Sequence, residues 1–438
     1  MFLPLDKNVE ICTFVLHAVQ KLTKYYYSVI MFIGDELMIK REKYLKKIRP
    51  FYDKDLIKVI TGIRRSGKSV ILTQIMDELK DKGIKDEQII YVNFEYIDYI
   101  DITNAKALNN YVENKLITKN KYYLFFDEIQ NVTEWEKVIN SFKAKYKDNV
   151  SIFITGSNSD LLSGELATHI AGRYVSFKVY PFTFKEVCEL KNINENDKYE
   201  LEREFNDFII WGGMPQRFSL DDKMQVKTYL SDIYNSIVIK DILERFKIKD
   251  LDLFNKILTY IVTTPSQTFS AESLSNYLLK DSIEVSKTTI YNYLEYMCRS
   301  LLINKADRYD VRGKRILSGK YKYYLTDLGL GQIVNNERKK QMGAYLENIV
   351  YNELVSRGYE VKVGTLENGE IDFIATRYDE KEYFQVAYHL TDDIIDREFG
   401  VYYNIQDNYP KYVISYDTFD FSQNGIIHKN IIDWLLEK

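Results

Sequence analysis

The chain has 438 residues, with 60 Lys and Arg against 64 Asp and Glu and a formal net charge of −4. Hydrophobic residues make up 45% and charged residues 28%, which is typical of globular domains and excludes a wholly disordered chain. The near-neutral balance also excludes a uniformly basic protein, so any nucleic-acid contact must come from a local patch, and the length predicts roughly three domains.

The cysteines and histidines are few and scattered. The three cysteines (Cys12, Cys188, Cys298) and four histidines (His17, His169, His389, His428) form no CxxC or other zinc-ligand spacing. We therefore expect neither a disulfide framework nor a structural zinc site. No apolar run approaches the roughly 18 residues that span a bilayer, so we expect a cytoplasmic protein that does not enter the membrane.

The first 37 residues differ in character from the rest. A polar helix start, Ile39-Lys40-Arg41-Glu42, follows Met38 and leads towards a core strand. Our hypothesis is that Met38 is the true initiator and that residues 1–37 are translated upstream sequence or a peripheral helix. N-terminal sequencing of natively expressed protein tests it, and a native terminus at Met1 would contradict it.

The clearest motif is a glycine-rich loop that matches GxxxxGK[ST]. It lies between an apolar run at 56–60 and a helix-spaced run at 70–76, which is the strand–loop–helix context the motif requires. In that context backbone N–H groups and the helix N-terminus bind phosphate, Lys68 reaches the β and γ phosphates, and Ser69 ligates Mg²⁺. The predicted nucleotide-binding residues are Gly62, Ile63, Arg64, Arg65, Ser66, Gly67, Lys68 and Ser69.

Two carboxylates follow the apolar run at 122–126, about 60 residues after the glycine loop. Asp127 at the strand tip is predicted to hold Mg²⁺ through water, and Glu128 to act as the general base for the attacking water. A further apolar run at 151–154 is followed by Ser157 and Asn158, and Asn158 or Ser157 is the candidate γ-phosphate sensor; a plain strand-exit turn is the alternative. Arg173 is a candidate arginine finger, in cis or across a subunit boundary, or an ordinary surface arginine.

Five strands are predicted, at 56–60, 88–94, 122–127, 151–157 and 174–180. Most of the intervening segments are long enough for crossover helices. This pattern predicts an α/β domain, with a mostly parallel sheet that binds its ligand at the carboxyl ends of the strands.

Several short segments accompany the glycine loop: residues 60–69, 93–95, 126–130, 155–157, 182–186 and 212–215. Together they resemble the AAA-like ATPases of bacteria and archaea, and the resemblance extends from about Met38 to the C-terminus. It implies ATP rather than GTP. It also implies a helical lid, from which Gly213-Met214-Pro215 approaches the nucleotide, and a C-terminal domain similar to the PD-(D/E)XK nucleases. The domains expected are 38–248 (ATPase and lid), 249–335 (winged helix) and 338–438 (restriction-endonuclease-like α/β).

The middle domain reads as helices at 251–263, 271–279 and 286–300, followed by strands at 301–305 and 321–325. Residues 299–322 hold eight basic and two acidic residues, a net +6. Three helices and a basic hairpin are typical of a winged helix that binds double-stranded DNA, with a lid or protein-contact module as the alternative. The predicted base-edge contacts are Lys287, Thr288, Thr289 and Asn292, and the predicted phosphate contacts are Arg312, Lys314 and Arg315.

The C-terminal domain resembles a PD-(D/E)XK nuclease in the order of its site positions, but some of the catalytic residues are replaced. The site positions are Glu347, Glu370, Asp372 and Gln385. In the nucleases, Gln385 would be an acid and Ala387 a lysine. Because both the acid and the lysine are replaced, we expect that the domain does not cleave nucleic acid and that its fold serves as a docking surface. The tail from Thr391 carries a net −5, which favours a protein partner or contact with the basic hairpin.

Three functions therefore remain open. The leading hypothesis is an ATP-hydrolysing switch that requires Mg²⁺ and couples its nucleotide state to DNA or protein binding. The second is a nucleotide-gated binding module without turnover, and the third is an ATP-dependent nuclease.

Overall fold

The computed structural model describes residues 39–117, 120–162, 172–264, 266–334, 341–367 and 369–437. The interpretation of residues 1–37 as an extension lies outside these ranges. Arg41–Lys438 form a single compact unit.

A five-stranded parallel sheet organises the first half of the chain, as predicted. Its strands are β1 (Ile57–Gly62), β2 (Ile89–Asn93), β3 (Tyr122–Asp127), β4 (Val150–Gly156) and β5 (Tyr174–Val179). They lie in the order β2-β3-β4-β1-β5. β1, β3 and β4 are buried along their whole length, because helices cover both faces of the sheet. The carboxyl ends of all five strands meet at one edge.

The helices of this half are α1 (Glu42–Ile48), α2 (Lys68–Asp81), α3 (Ala105–Glu113), α4 (Trp135–Tyr146), α5 (Phe184–Leu190), α6 (Lys198–Trp211) and α7 (Lys223–Ser236). The helices α5, α6 and α7 follow β5, in the segment predicted to be a lid. A π-helix, Ile237–Glu244, continues α7 directly. π-helical turns are rare and frequently mark functional positions, because the extra residue re-aims the side chains around it.

Three helices and a hairpin follow, close to their predicted bounds: α8 (Leu251–Thr263), α9 (Ala271–Leu279), α10 (Lys287–Arg299), β6 (Ile303–Asp310) and β7 (Arg315–Leu325). The hairpin strands are longer than expected. Most of the basic segment is therefore paired β-strand rather than an open loop.

The C-terminal elements are α11 (Leu328–Val334), α12 (Met342–Arg357), β8 (Glu360–Leu366), β9 (Gly369–Arg377), β10 (Glu380–Val386), α13 (Asp392–Gly400), β11 (Lys411–Ser415), β12 (Ile427–Asn430) and α14 (Ile431–Leu436). The hairpin joins them in one mixed sheet of order β12-β11-β10-β9-β8-β6-β7. β6 pairs in parallel with β8. The hairpin is thus an edge of the C-terminal sheet.

Candidate nucleotide-binding site

The glycine loop lies at the carboxyl edge of the five-stranded sheet, between β1 and α2. Gly62 ends β1 so close to the Val179 carbonyl that a side chain there would collide with it. Gly67, which precedes α2, has φ +97°, a left-handed conformation that glycine adopts without strain. Both glycines are therefore required by geometry, and they leave the loop backbone free to curl above the helix N-terminus.

Lys68 is buried at the start of α2 and points back into the loop. Its ammonium donates to the carbonyl oxygens of Gly62 at 3.1 Å and Ile63 at 3.3 Å. It also lies 3.3 Å from the Glu128 carboxylate. The predicted phosphate-binding lysine is thus held by the loop and by the predicted base.

Asp127 is fully buried at the tip of β3 and collects donors from the neighbouring strands. Tyr91 and Asn93 of β2 donate to its Oδ2 at 3.0 and 3.1 Å, and the hydroxyl of Thr155 on β4 donates to Oδ1. Burial raises the pKa of Asp127, while hydrogen bonds from Thr155 and Ser69 lower it. The two residues predicted to hold Mg²⁺, Ser69 and Asp127, are therefore in contact.

Glu128 adopts a left-handed backbone conformation, with φ 55°. Its N–H donates to the Thr155 hydroxyl at 2.9 Å, and Gln130 donates to its carboxylate at 2.5 Å. Burial would raise the pKa of Glu128, but the Lys68 ammonium, the Gln130 hydrogen bond and the Arg64 charge together outweigh burial and hold the pKa below its ordinary value. The side chain is consequently an ionised carboxylate, the form a general base requires.

Arg64 reaches from the glycine loop to the π-helix. Its guanidinium contacts the buried carboxylate of Asp241 at 3.1 and 3.3 Å and Glu95 at 2.8 Å. Arg64 and Arg65 line a cavity of about 960 Å³ together with Gln130. A negatively charged ligand in this cavity would compete with Asp241 for Arg64.

Arg41 contacts the backbone of the glycine loop, and this role was not predicted from the sequence. It is buried, pairs with both oxygens of Glu186 at 2.7 and 3.0 Å, and donates to the Ser66 carbonyl at 3.0 Å. A further donation reaches the Tyr180 carbonyl at 3.1 Å. Glu186 also caps the start of α5. This pair ties the loop to the segment that follows β5.

Asn158 and Ser157 follow β4, which lies beside β3 as predicted. Both residues are buried, and Gln130 donates to the Ser157 hydroxyl at 3.4 Å. Thr155, which lies earlier on β4, was not predicted, although its hydroxyl accepts from the Glu128 N–H and donates to the Asp127 carboxylate. Its position on the strand next to Asp127 was the available signal.

Arg173 does not reach the nucleotide edge within this chain. Its carbonyl accepts a hydrogen bond from the N–H of Ile57, where β1 begins. β5 runs parallel to β1, with Tyr174 opposite Ile57 and Val179 opposite Gly62. The side chain is therefore at the amino edge, about 20 Å of strand from the glycine loop. An arginine finger in cis is thus wrong for Arg173, because parallel strands place it at the opposite edge.

Pro215 begins a short 3₁₀ helix after α6. The neighbouring Gly213 accepts from the N–H of Phe182 at 2.7 Å and donates to Asp327 at 2.7 Å. Gln216 lines the same cavity as Arg64 and Arg65. The segment thus links the glycine-loop cavity with the C-terminal half.

The predicted DNA contacts divide into two groups. Lys287, Thr288 and Asn292 are exposed on α10, whereas the Thr289 hydroxyl lies 2.9 Å from that of Ser286 at the helix start. On the hairpin, Arg312 and Arg315 pair with acids, and Lys314 is exposed in the turn; the pairs are Arg312–Glu367 and Arg315–Asp310.

The four nuclease-like positions, Glu347, Glu370, Asp372 and Gln385, line one cavity of about 780 Å³. Lys322, counted among the basic hairpin residues, points into this cluster instead of into solvent. Burial would lower the pKa of Lys322, but Glu347, Asp372 and Glu370 outweigh it and raise the pKa. Lys322 therefore does not add to the solvent-facing charge of the basic hairpin, because it is buried among carboxylates.

Two further properties concern the part of the chain that the structure describes. None of its helices is long and apolar enough to cross a membrane. Its His, Cys, Asp and Glu side chains form no group of three or more that could hold a metal ion by themselves. A Mg²⁺ ion at Ser69 and Asp127 does not need such a group, since nucleotide-bound Mg²⁺ takes its other ligands from phosphates and water.

The fold and site define a P-loop protein with an AAA-type nucleotide-binding fold. Residues 54–188 match the model of an AAA domain, and residues 202–341 match a domain of unknown function (DUF8612). An uncharacterized protein of Haemophilus influenzae is 38% identical over 408 residues, covering 91% of this chain and 99% of the relative. The uncharacterized protein MJ1544 of Methanocaldococcus jannaschii is 33% identical, covering 79% and 78%. The chain therefore belongs to this family of AAA-like P-loop ATPases.

Similar solved structures are distant. The Aeropyrum pernix ORC1 protein in complex with DNA has a TM-score of 0.31 and 11% identity, covering 69% of this chain and 94% of that one. Thermotoga maritima RuvB has a TM-score of 0.29 and 16% identity, covering 61% and 89%. AMPPCP-bound DnaA of Aquifex aeolicus has a TM-score of 0.25 and 14% identity, covering 58% and 85%.

Proposed function

We propose that this protein is a Mg²⁺-dependent ATPase whose nucleotide state controls binding of DNA or a protein partner by its C-terminal half. The observation that carries the proposal is the convergence of Lys68, Ser69, Asp127 and Glu128 at one strand edge. Lys68 lies 3.3 Å from Glu128, and Ser69 bonds to Asp127. These are the groups that phosphoryl transfer to water requires: a cation that binds the phosphates, ligands for the metal ion, and a general base.

Each residue has a defined task in this mechanism. Lys68 exchanges its contacts with the loop carbonyls and Glu128 for phosphate oxygens, which releases Glu128. The Glu128 carboxylate then accepts a proton from the attacking water. Gln130 donates to that carboxylate, and the Thr155 hydroxyl holds the Glu128 backbone by accepting its N–H. Ser69 and Asp127 fit Mg²⁺, which prefers oxygen ligands and supplies neutralisation of phosphate charge when bound.

The test compares Glu128→Gln with Glu87→Gln, a matched change at an exposed carboxylate before β2. Glu128→Gln should lower ATP turnover by about 100-fold or more, since general-base catalysis contributes roughly 10²–10⁴-fold. ATP binding measured by calorimetry should persist in both variants, and turnover should be normal in Glu87→Gln. Parental turnover by Glu128→Gln would refute the assignment of the base. ATP binding by the parent without turnover would favour the nucleotide-gated module.

The coupling to the C-terminal half rests on contacts across their boundary. Ser159, just beyond Asn158, donates to the Arg299 carbonyl at the end of α10 at 3.1 Å. Lys178 of β5 donates to Asn304 of β6 at 2.8 Å. Movement of the β4 and β5 ends upon nucleotide binding would therefore reach α10 and the hairpin directly.

Duplex DNA is the partner favoured by the exposed polar residues of α10. Lys287 and Asn292 are exposed there; Lys287 lies 3.7 Å from Glu272, and two of the hairpin arginines are likewise paired with acids. Retention on duplex DNA at low salt should weaken steeply with added salt and fall in Lys287→Ala/Asn292→Ala, with Lys280→Ala as the exposed control. No retention at low salt would eliminate DNA and leave a protein partner.

A further inference from the structure

The C-terminal cavity contains the positions at which a PD-(D/E)XK fold would hold a divalent metal. Glu347 comes from α12, Glu370 and Asp372 from β9, and Gln385 from β10. Their side chains line the same cavity of about 780 Å³. Whether the residues present fit a metal depends on what else occupies the space between the carboxylates.

That space is filled by an ammonium group from another strand. Nζ of Lys322 on β7 lies 3.1 Å from Glu347 Oε1, 2.6 Å from Glu370 Oε1 and 3.8 Å from Asp372 Oδ1. The lysine side chain is 4% exposed. β7 is held by its pairing with β6, so Lys322 is fixed in place by the sheet.

Other donors occupy more of the carboxylate oxygens. The Tyr324 hydroxyl donates to Glu347 Oε1 at 2.7 Å, and Arg308 lies 3.0 Å from Glu370 Oε2. The N–H of Val386 donates to Asp372 Oδ2 at 2.9 Å. A divalent ion would have to displace these donors and approach an ammonium at the same point, so the residues do not fit a metal.

Gln385 completes the replacement. Its amide oxygen accepts the N–H of Asp372 at 2.6 Å, and its amide nitrogen donates to Glu398 at 2.7 Å. A carboxylate at this position could accept the first bond but could not donate the second. The glutamine therefore suits a neutralised cluster in which the lysine supplies the positive charge.

We propose that Lys322 is the resident cation of this cavity and takes the place of a divalent metal. The cluster then acts as a metal-independent joint between the hairpin and the C-terminal domain, and it does not cleave phosphodiesters. This inference does not depend on ATP turnover. It also makes one of the eight basic residues at 299–322 an internal charge.

The test measures Mn²⁺ binding by the full-length chain carrying Asp127→Asn, a change that removes the carboxylate predicted to hold a metal ion at the nucleotide site. With Lys322 intact, calorimetry and Mn²⁺ spectroscopy should find no site, and Mn²⁺ should not raise the melting temperature. Lys322→Met should gain one Mn²⁺ site and a Mn²⁺-dependent rise in melting temperature, both abolished by Asp372→Asn. Lys305→Met, on β6 of the same hairpin, should gain neither.

Two results would overturn the proposal. One is Mn²⁺ binding or Mn²⁺-dependent plasmid nicking by the chain with Lys322 intact that disappears in Asp372→Asn. The other is a folded Lys322→Met variant that gains no Mn²⁺ site. The first measurement does not depend on Lys322→Met folding, so the proposal stays testable if that variant unfolds.

Discussion

Lys58 places a charge inside the strand that leads to the glycine loop, and its removal should stabilise the protein at neutral pH. The side chain is fully buried on β1, where its ammonium donates to the Ser151 hydroxyl at 2.7 Å and lies 4.6 Å from the centre of the Phe153 ring. Burial, followed by the nearby charges of Lys143 and Lys121, lowers the pKa of Lys58 to about 7.

The sign and size of the effect follow from this pKa. Between about pH 7 and 10.5 the unfolded chain holds a proton that the folded chain releases, so the free energy of unfolding rises with pH across this window. A difference of about 3.5 pKa units corresponds to on the order of 5 kcal/mol over the full window. Below pH 7 both states are protonated and the dependence disappears.

The assay is urea unfolding of the parent and Lys58→Met at several pH values from 7 to 10, with exposed Lys54→Met as the control. Lys58→Met should be more stable than the parent at pH 7, and the difference should shrink towards pH 10 because the parent gains stability there. Taking the difference between the two proteins removes contributions from other groups. A difference that stays constant across this range would refute the reasoning.

Three further variants probe the nucleotide site. Arg41→Met leaves Glu186 buried without its partner and should lower the free energy of unfolding by roughly 3–5 kcal/mol, measured in urea; adding Glu186→Gln should restore part of it, and no restoration would contradict the pairing. Thr155→Val removes a hydrogen bond to the Asp127 carboxylate and one from the Glu128 backbone N–H, and should lower turnover by roughly 10-fold or more while leaving ATP affinity similar; unchanged turnover would contradict it. Asp241→Asn weakens the hold on Arg64 and should tighten ATP binding by roughly 5–10-fold in calorimetry, whereas weaker binding would contradict the competition.

The parallel sheet and its phosphate loop were predictable because their signals are local. Apolar runs mark the buried strands, and the glycine loop requires a strand before it and a helix after it. Asp127 and Thr155 meet because adjacent parallel strands end at the same edge. The same rule excludes a cis role for Arg173, which precedes its strand instead of following it.

The remaining contacts depend on features that lie far apart in the chain. Asp241 lies in a π-helix, and this helix places its carboxylate against Arg64. No periodicity in the sequence distinguishes a π-helix from an α-helix. Lys322 appeared to belong to a solvated basic segment because its neighbours in sequence are basic. Its burial follows from the hairpin joining the C-terminal sheet, and only alternation with Tyr324, which contacts the same carboxylate, hinted at it.

Steady-state phosphate release from Mg-ATP by the purified full-length chain tests the central claim most directly. The account predicts release of many phosphates per chain, reduced by about 100-fold or more in Glu128→Gln, although that variant still binds ATP. Release by the parent that does not exceed that of Glu128→Gln would contradict it.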